Sequence, residues 1–78
     1  MEANSFIEKF QEQFIDADEI TVDLQTEFRQ LPTWDSLTGM SVLVMIKDEY
    51  GVDMTDKDLK ACNTVEEIYK FVAAKTEV

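Results

Sequence analysis

Serine and cysteine are the side chains of this sequence on which covalent chemistry could be built, and the placement of Ser36 is the most informative. It lies in Trp34-Asp35-Ser36-Leu37-Thr38, at the expected start of a helix. A serine becomes a nucleophile when an adjacent general base, itself held by a third group, takes its proton. The usual base, histidine, does not occur in the chain. Lys47, the nearest downstream lysine, is eleven residues further along the same expected helix, roughly 16 Å away at about 1.5 Å per residue. Lys57 or Lys60 would meet Ser36 only by folding back. Cys62 is the single cysteine; without a histidine or a second thiol it gives no support to thiol catalysis, a metal site or an internal disulfide. It reads as a small buried hydrophobe before a turn. Ser36 is therefore a serine placed to be modified by another protein, and the chain is not expected to be an enzyme.

Size and charge narrow the class. The 78 residues make one domain, 1–78, with a modest core. One cysteine fits a reducing compartment, the longest apolar run, Val42 to Ile46, is far too short to span a bilayer, and the first residues lack the basic and apolar regions of a signal peptide. The expectation is a soluble cytoplasmic protein without membrane insertion. Seventeen acids against seven bases give a net charge of −10, which repels a phosphate backbone and argues against nucleic acid. Basic protein partners are the expected counterpart. Five acids and no base between Asp16 and Glu27, counting Arg29 outside, read as a solvated connection. A calcium loop in that stretch would place Asp16, Asp18 and Glu27 at positions one, three and twelve, but position five is Ile20 and position six is Thr21 where a glycine is needed.

The remaining organisation is helical. Ser5-Phe6-Ile7-Glu8 has capping-box spacing, and Phe6, Ile7, Phe10 and Phe14 follow at helical intervals, predicting a first helix over about Ser5 to Ile15. A second helix is expected from an Asp35 N-cap to Tyr50, ended by Gly51. Leu37, Met40, Leu43, Val44 and Ile46 to Tyr50 mark it as the most buried element, with Met40 and Leu43 as core or rim. Thr55 to Asp58 can cap a short third helix through Ala61. Thr64-Val65-Glu66-Glu67 is a second capping box, opening a last helix to about Ala74 with Val65, Ile68, Tyr69 and Val72 as its stripe. The result is an all-α bundle of three longer helices and one short one. Between Asp16 and Trp34, Ile20, Leu24, Phe28 and Leu31 fit either a further helical stripe or the anchors of an extended crossover, and spacing alone does not choose.

Asp35-Ser36-Leu37, the long connection before it, the apolar helix after it, then Glu49-Tyr50-Gly51-Val52, Thr55-Asp56 and Thr64-Val65-Glu66-Glu67-Ile68 together resemble the acyl carrier protein family, over about Phe6 to Val72. The resemblance implies a four-helix bundle with a long loop between helices one and two, which favours the crossover. It implies that Ser36, within the motif residues Asp35 and Leu37, receives 4′-phosphopantetheine from coenzyme A through a separate magnesium-dependent phosphopantetheinyl transferase. It implies also that the arm's thiol holds acyl groups as thioesters for enzymes of fatty-acid, polyketide or specialised acyl or aminoacyl biosynthesis. Without the resemblance, Ser36 is an ordinary helix-start serine, and the rival function is an acidic interaction module that takes no arm.

The same resemblance makes the second helix the docking surface for the basic patches of partner enzymes, with Met40, Asp48, Glu49 and Asp56 as the expected docking residues of a monomeric carrier. Thr38, Ser41 and Lys47 stand where acids are common in the family, and Trp34 stands where a small residue is usual, which favours a dedicated pathway over housekeeping fatty-acid synthesis. With Asp35 as N-cap, a hydrophobic staple from Trp34 needs an apolar partner at position 39, which is glycine; Trp34 is expected to pack elsewhere. Gly39 shares the face of Ser36 and either leaves room beside the arm or is merely tolerated. A long acyl chain would lie under the second helix near Leu43, Ile46, Val65 and Ile68.

Overall fold

A computed structural model describes residues 2–76. Four α-helices form the fold: α1 (Ala3–Gln11), α2 (Ser36–Tyr50), α3 (Asp56–Lys60) and α4 (Val65–Thr76), with two single 3₁₀ turns, Ala17–Glu19 and Phe28–Gln30, in the connection between α1 and α2. Among the described residues there is no strand, and no helix is long and apolar enough to cross a membrane. This is the expected bundle of three longer helices and one short one. α2 packs against each of the other three, and α1 also meets α4.

The helix ends follow local chemistry at three of the four starts. The Asp35 side chain caps α2 by accepting from the Thr38 N–H, and Gly51 ends it in the left-handed conformation, φ 68°, a backbone state open to glycine at little cost. Thr55 and Asp58 form a reciprocal capping box at α3. At α4, Glu67 Oε2 accepts from the Thr64 N–H at 2.9 Å while Thr64 Oγ1 accepts from the Glu67 N–H at 3.3 Å. The start of α1 departs from expectation. The helix begins at Ala3 with Glu2 at the cap and no side-chain cap bond, so Ser5 lies inside it and the Ser5–Glu8 box does not form. α1 also stops at Gln11, not Ile15. Backbone bonds from Gln13 and Phe14 to Phe10 and Gln11 tighten the exit, keeping Phe14 in the core and leaving Ile15 93% exposed.

The segment after α1 is a crossover held at several points. Val22 and Phe28 are buried, and Ile20, Leu24 and Leu31 are half-buried. Gln11 Nε2 donates to the carbonyls of Ala17 and Ile20, and Thr33 Oγ1 donates to Asp16 Oδ1 at 2.7 Å. The first N–H groups of α4 are satisfied by the crossover itself: Val65 N donates to Thr26 O at 3.0 Å and Glu66 N to Leu24 O at 2.9 Å. The Arg29 guanidinium donates to the carbonyls of Leu59 and Cys62 and to Asn63 Oδ1, tying the crossover to the end of α3.

An aromatic chain runs through the core. Phe6 meets Tyr50 and Tyr69, Phe10 meets Phe14 and Phe28, and Trp34 closes the series against Phe28 at 4.9 Å and Phe14 at 6.0 Å between ring centroids. Tilted and edge-on pairs at such distances add about 0.5–1.5 kcal/mol each beyond burial. The chain of rings ends directly beneath the start of α2, so the core fixes the position of Ser36.

Candidate functional site

Ser36 is the first residue of α2 and is exposed. The cap beside it sets its orientation: Asp35 Oδ1 accepts from the Thr38 N–H at 2.8 Å, and the Asp35 carbonyl accepts from the Gly39 N–H at 3.0 Å. The Thr38 N–H bond is also the main reason the Asp35 carboxyl titrates below its ordinary value. Because the folded pKa is depressed, this contribution to stability is complete above the ordinary carboxylate range and is lost as pH falls through the folded value. In Asp35→Asn the amide oxygen still accepts but no longer titrates. The stability gap between wild type and this variant should therefore narrow as pH drops below about 4, measured by urea unfolding at a series of pH values; a pH-independent gap would refute the cap as the cause.

The burial of α2 corrects one expectation. Its inward face is Thr38, Gly39, Val42, Met45 and Ile46, whereas Leu37, Met40 and Val44 are 74%, 61% and 58% exposed. α2 is apolar around most of its circumference, so apolarity did not identify the inward side. Thr38 is buried with its hydroxyl donating to Thr33 O, so it secures the loop entering α2 and does not reach the surface as a docking group. Lys47 pairs with Asp53 at 2.8 Å.

Trp34 packs as expected, and its location answers the question about Gly39. The indole lies against Gly39, where a Cβ would stand 3.5 Å from Trp34 Cζ2 and 3.6 Å from Leu59 Cδ2. The ring thus takes the place that a staple partner would fill. A methyl at those distances makes ordinary contacts, so Gly39→Ala should stabilise the fold by about 0.5–1 kcal/mol through helix propensity. Chemical denaturation reads this directly; a destabilised variant would mean that the indole cannot tolerate the methyl.

A groove of about 740 Å³ opens beside Ser36 between α2 and α3, with Trp34, Gly39, Leu43 and Leu59 in its apolar wall and Arg29 and Lys60 as its cations. It also contains Met40 and Asp56, and Asp56 is held by Lys60 at 3.1 Å. Asp48 and Glu49 lie instead over a separate depression between α1 and α2, which Met40 also lines. The four expected docking residues are thus divided between two faces of α2 that meet at Met40. Of the expected acyl-lining residues, Leu43 reaches the groove; Ile46, Val65 and Ile68 are fully buried in the closed core. Sequence reasoning missed Arg29 and Leu59, whose one signal was that Arg29 is the sole base between Lys9 and Lys47.

The only thiol cannot act here. Cys62 is buried, its Sγ 3.5 Å from Asp58 O, and burial pushes the thiol pKa up. An exposed, capped serine at a helix start beside an apolar groove, with no activating base, suits a group attached from outside. The family model described as phosphopantetheine attachment site matches residues 6–72. The chain belongs to that family. It is a non-catalytic carrier domain of acyl-carrier type that bears covalent 4′-phosphopantetheine and works with a transferase and partner enzymes. No solved structure matches the chain significantly. The arm fits what the carrier domain offers: an open hydroxyl at a helix N-terminus and a groove leading away from it.

Proposed function

We propose that Ser36 is the attachment residue and that this carrier presents acyl intermediates to cytoplasmic enzymes of fatty-acid, polyketide or specialised acyl or aminoacyl biosynthesis, acting as a monomer. The observation that carries this reading is the exposure of Ser36 at the first position of α2, at the mouth of the groove between α2 and α3. When attached, the arm supplies a thiol that holds cargo as a thioester. The protein's own part is positional. The N-terminal N–H groups and macrodipole of α2 favour a phosphodiester at Ser36 by about 0.3–1 kcal/mol. The neighbouring Asp35 charge offsets part of this, and its role is to cap the helix and offer a carboxylate to the transferase and its magnesium.

Met40, Asp48, Glu49 and Asp56 are proposed as docking residues, and the motif residue Leu37, exposed next to Ser36, is available to an approaching transferase. The groove walls, Trp34, Leu43 and Leu59, would cover an apolar stretch of arm or cargo. Gly39 is covered by the protein's own Trp34 and Leu59, so the glycine is not needed by the arm and Gly39→Ala should be modified at the wild-type rate.

Intact mass tests the proposal. The chain incubated with coenzyme A, magnesium and a broad-specificity transferase should gain one phosphopantetheine, and protein from its native source should show the cargo as a further increment. An acidic interaction module would gain nothing. If the mass gain maps by peptide fragmentation to any residue other than Ser36, the assignment fails.

A further inference from the structure

All four large hydrophobic side chains that stand strongly exposed among the described residues, Ile15, Leu37, Met40 and Val44, lie along one side of the molecule, away from the groove described above. Leu37, Met40 and Val44 are spaced i, i+3, i+7, the pattern of a stripe on α2. Two depressions lie along this stripe. One, about 660 Å³, runs between α1 and α2 past Met40 and Val44 to Asp48 and Glu49. The other, about 640 Å³, contains Ile15, Pro32 and Trp34. They share Glu12, Gln13, Leu37 and Ser41, and so form one continuous trough. From Leu37 to Asp48 it follows α2 for roughly 16 Å, about three helical turns.

The charge on this trough is one-sided. Glu8 and Glu12 project from α1, Asp48 and Glu49 from α2, and the one base of its lining, Lys9, is 3.6 Å from Glu49. An apolar floor about three turns long between acidic rims complements an amphipathic helix with basic flanks. A second copy of this chain, at net charge −10, would be repelled.

We propose that the α1–α2 trough is a docking site for a basic-flanked amphipathic helix of a partner enzyme. The helix lies along α2 on the face adjoining the Ser36 groove, with Met40 on the shared ridge. The partner being an enzyme that uses the carrier rests on the function proposed above; the trough's affinity for such a helix does not.

The probe is a synthetic helical peptide of about three to four turns, with leucines at i, i+3, i+4 and i+7 and lysines on both flanks, titrated into the ¹⁵N-labelled Ser36→Ala chain. Because that chain cannot accept an arm at Ser36, failure of the carrier reading leaves the measurement intact. Amide shifts should follow Gln13, Leu37, Ser41 and Val44. Val44→Ser and Ile15→Ser, both exposed and so harmless to the fold, should each weaken binding at least three-fold, and together ten-fold. Replacing the lysines by glutamates should abolish binding. The proposal is overturned if the peptide does not bind, if the shifts centre on Leu43 and Leu59 or on the acids of the crossover, or if the double variant binds as wild type does.

Discussion

Ser36→Ala should fold as the wild type does and gain no mass with coenzyme A, magnesium and a transferase, whereas the wild-type chain gains one phosphopantetheine. The expected effect is complete, because the alternative hydroxyls are badly placed. Ser5 lies within α1 and Ser41 is half-buried in the trough between α1 and α2. Ser36 alone among the serines opens a helix. The fold should not register the change: the residue is exposed, and the Asp35 cap acts on Thr38, so the loss should stay within about 0.5 kcal/mol. That separation makes the measurement decisive. A Ser36→Ala chain that unfolds at the wild-type urea midpoint and is still modified would end the assignment.

Phe28→Ala should be the most damaging single core truncation outside the helices' own stripes, costing about 3–5 kcal/mol. Phe28 is 0% exposed. It stands edge-on to Phe10 at 6.0 Å and to Trp34 at 4.9 Å, and the Arg29 guanidinium covers its ring at 4.9 Å. The ring therefore joins the crossover to α1, to the entry of α2 and, through Arg29, to the end of α3. A domain of this size has a total stability on the order of 4–12 kcal/mol at 0.05–0.15 kcal/mol per residue, so the variant should be marginal or unfolded at room temperature. Urea unfolding followed by far-UV circular dichroism measures it, with the exposed Ile15→Ala as the control that should change little. A Phe28→Ala cost below about 1 kcal/mol would mean that the crossover is not fixed by its aromatic anchor.

The sequence was most legible where a side chain and a backbone donor or carbonyl lie within a few residues of one another. The Asp35 cap, the Thr55–Asp58 and Thr64–Glu67 boxes and the Gly51 stop are all of that kind, and each stands where the residue pattern puts it. Ser5–Glu8 has the same spacing yet is not a cap, because the chain enters α1 earlier and the residues lie within an established turn. The inward face of α2 was not legible. Apolar residues surround it, and the side that enters the core includes Thr38 and Gly39, admitted because Trp34 arrives from outside the helix to cover them. Nor was the crossover's attachment to α4, because a bond from Val65 N to Thr26 O involves no side chain and leaves no mark in residue type. At the site itself, Ser36, its cap and the role of Cys62 could be read from local pattern. The groove wall depended on Arg29 and Leu59, brought together across about thirty residues by the fold.

The main-chain bonds that Val65 and Glu66 donate to the crossover have a consequence for how the chain assembles. Each closes a loop of roughly forty residues, and the entropy of such closure must be met before either bond forms. Neither the long connection nor the last helix can then settle ahead of the other: a nick anywhere between Thr21 and Thr26 should loosen the opposite end of the molecule. Denaturation is thereby made all-or-none in a protein whose hairpin-free architecture would otherwise allow its helices to fray one at a time.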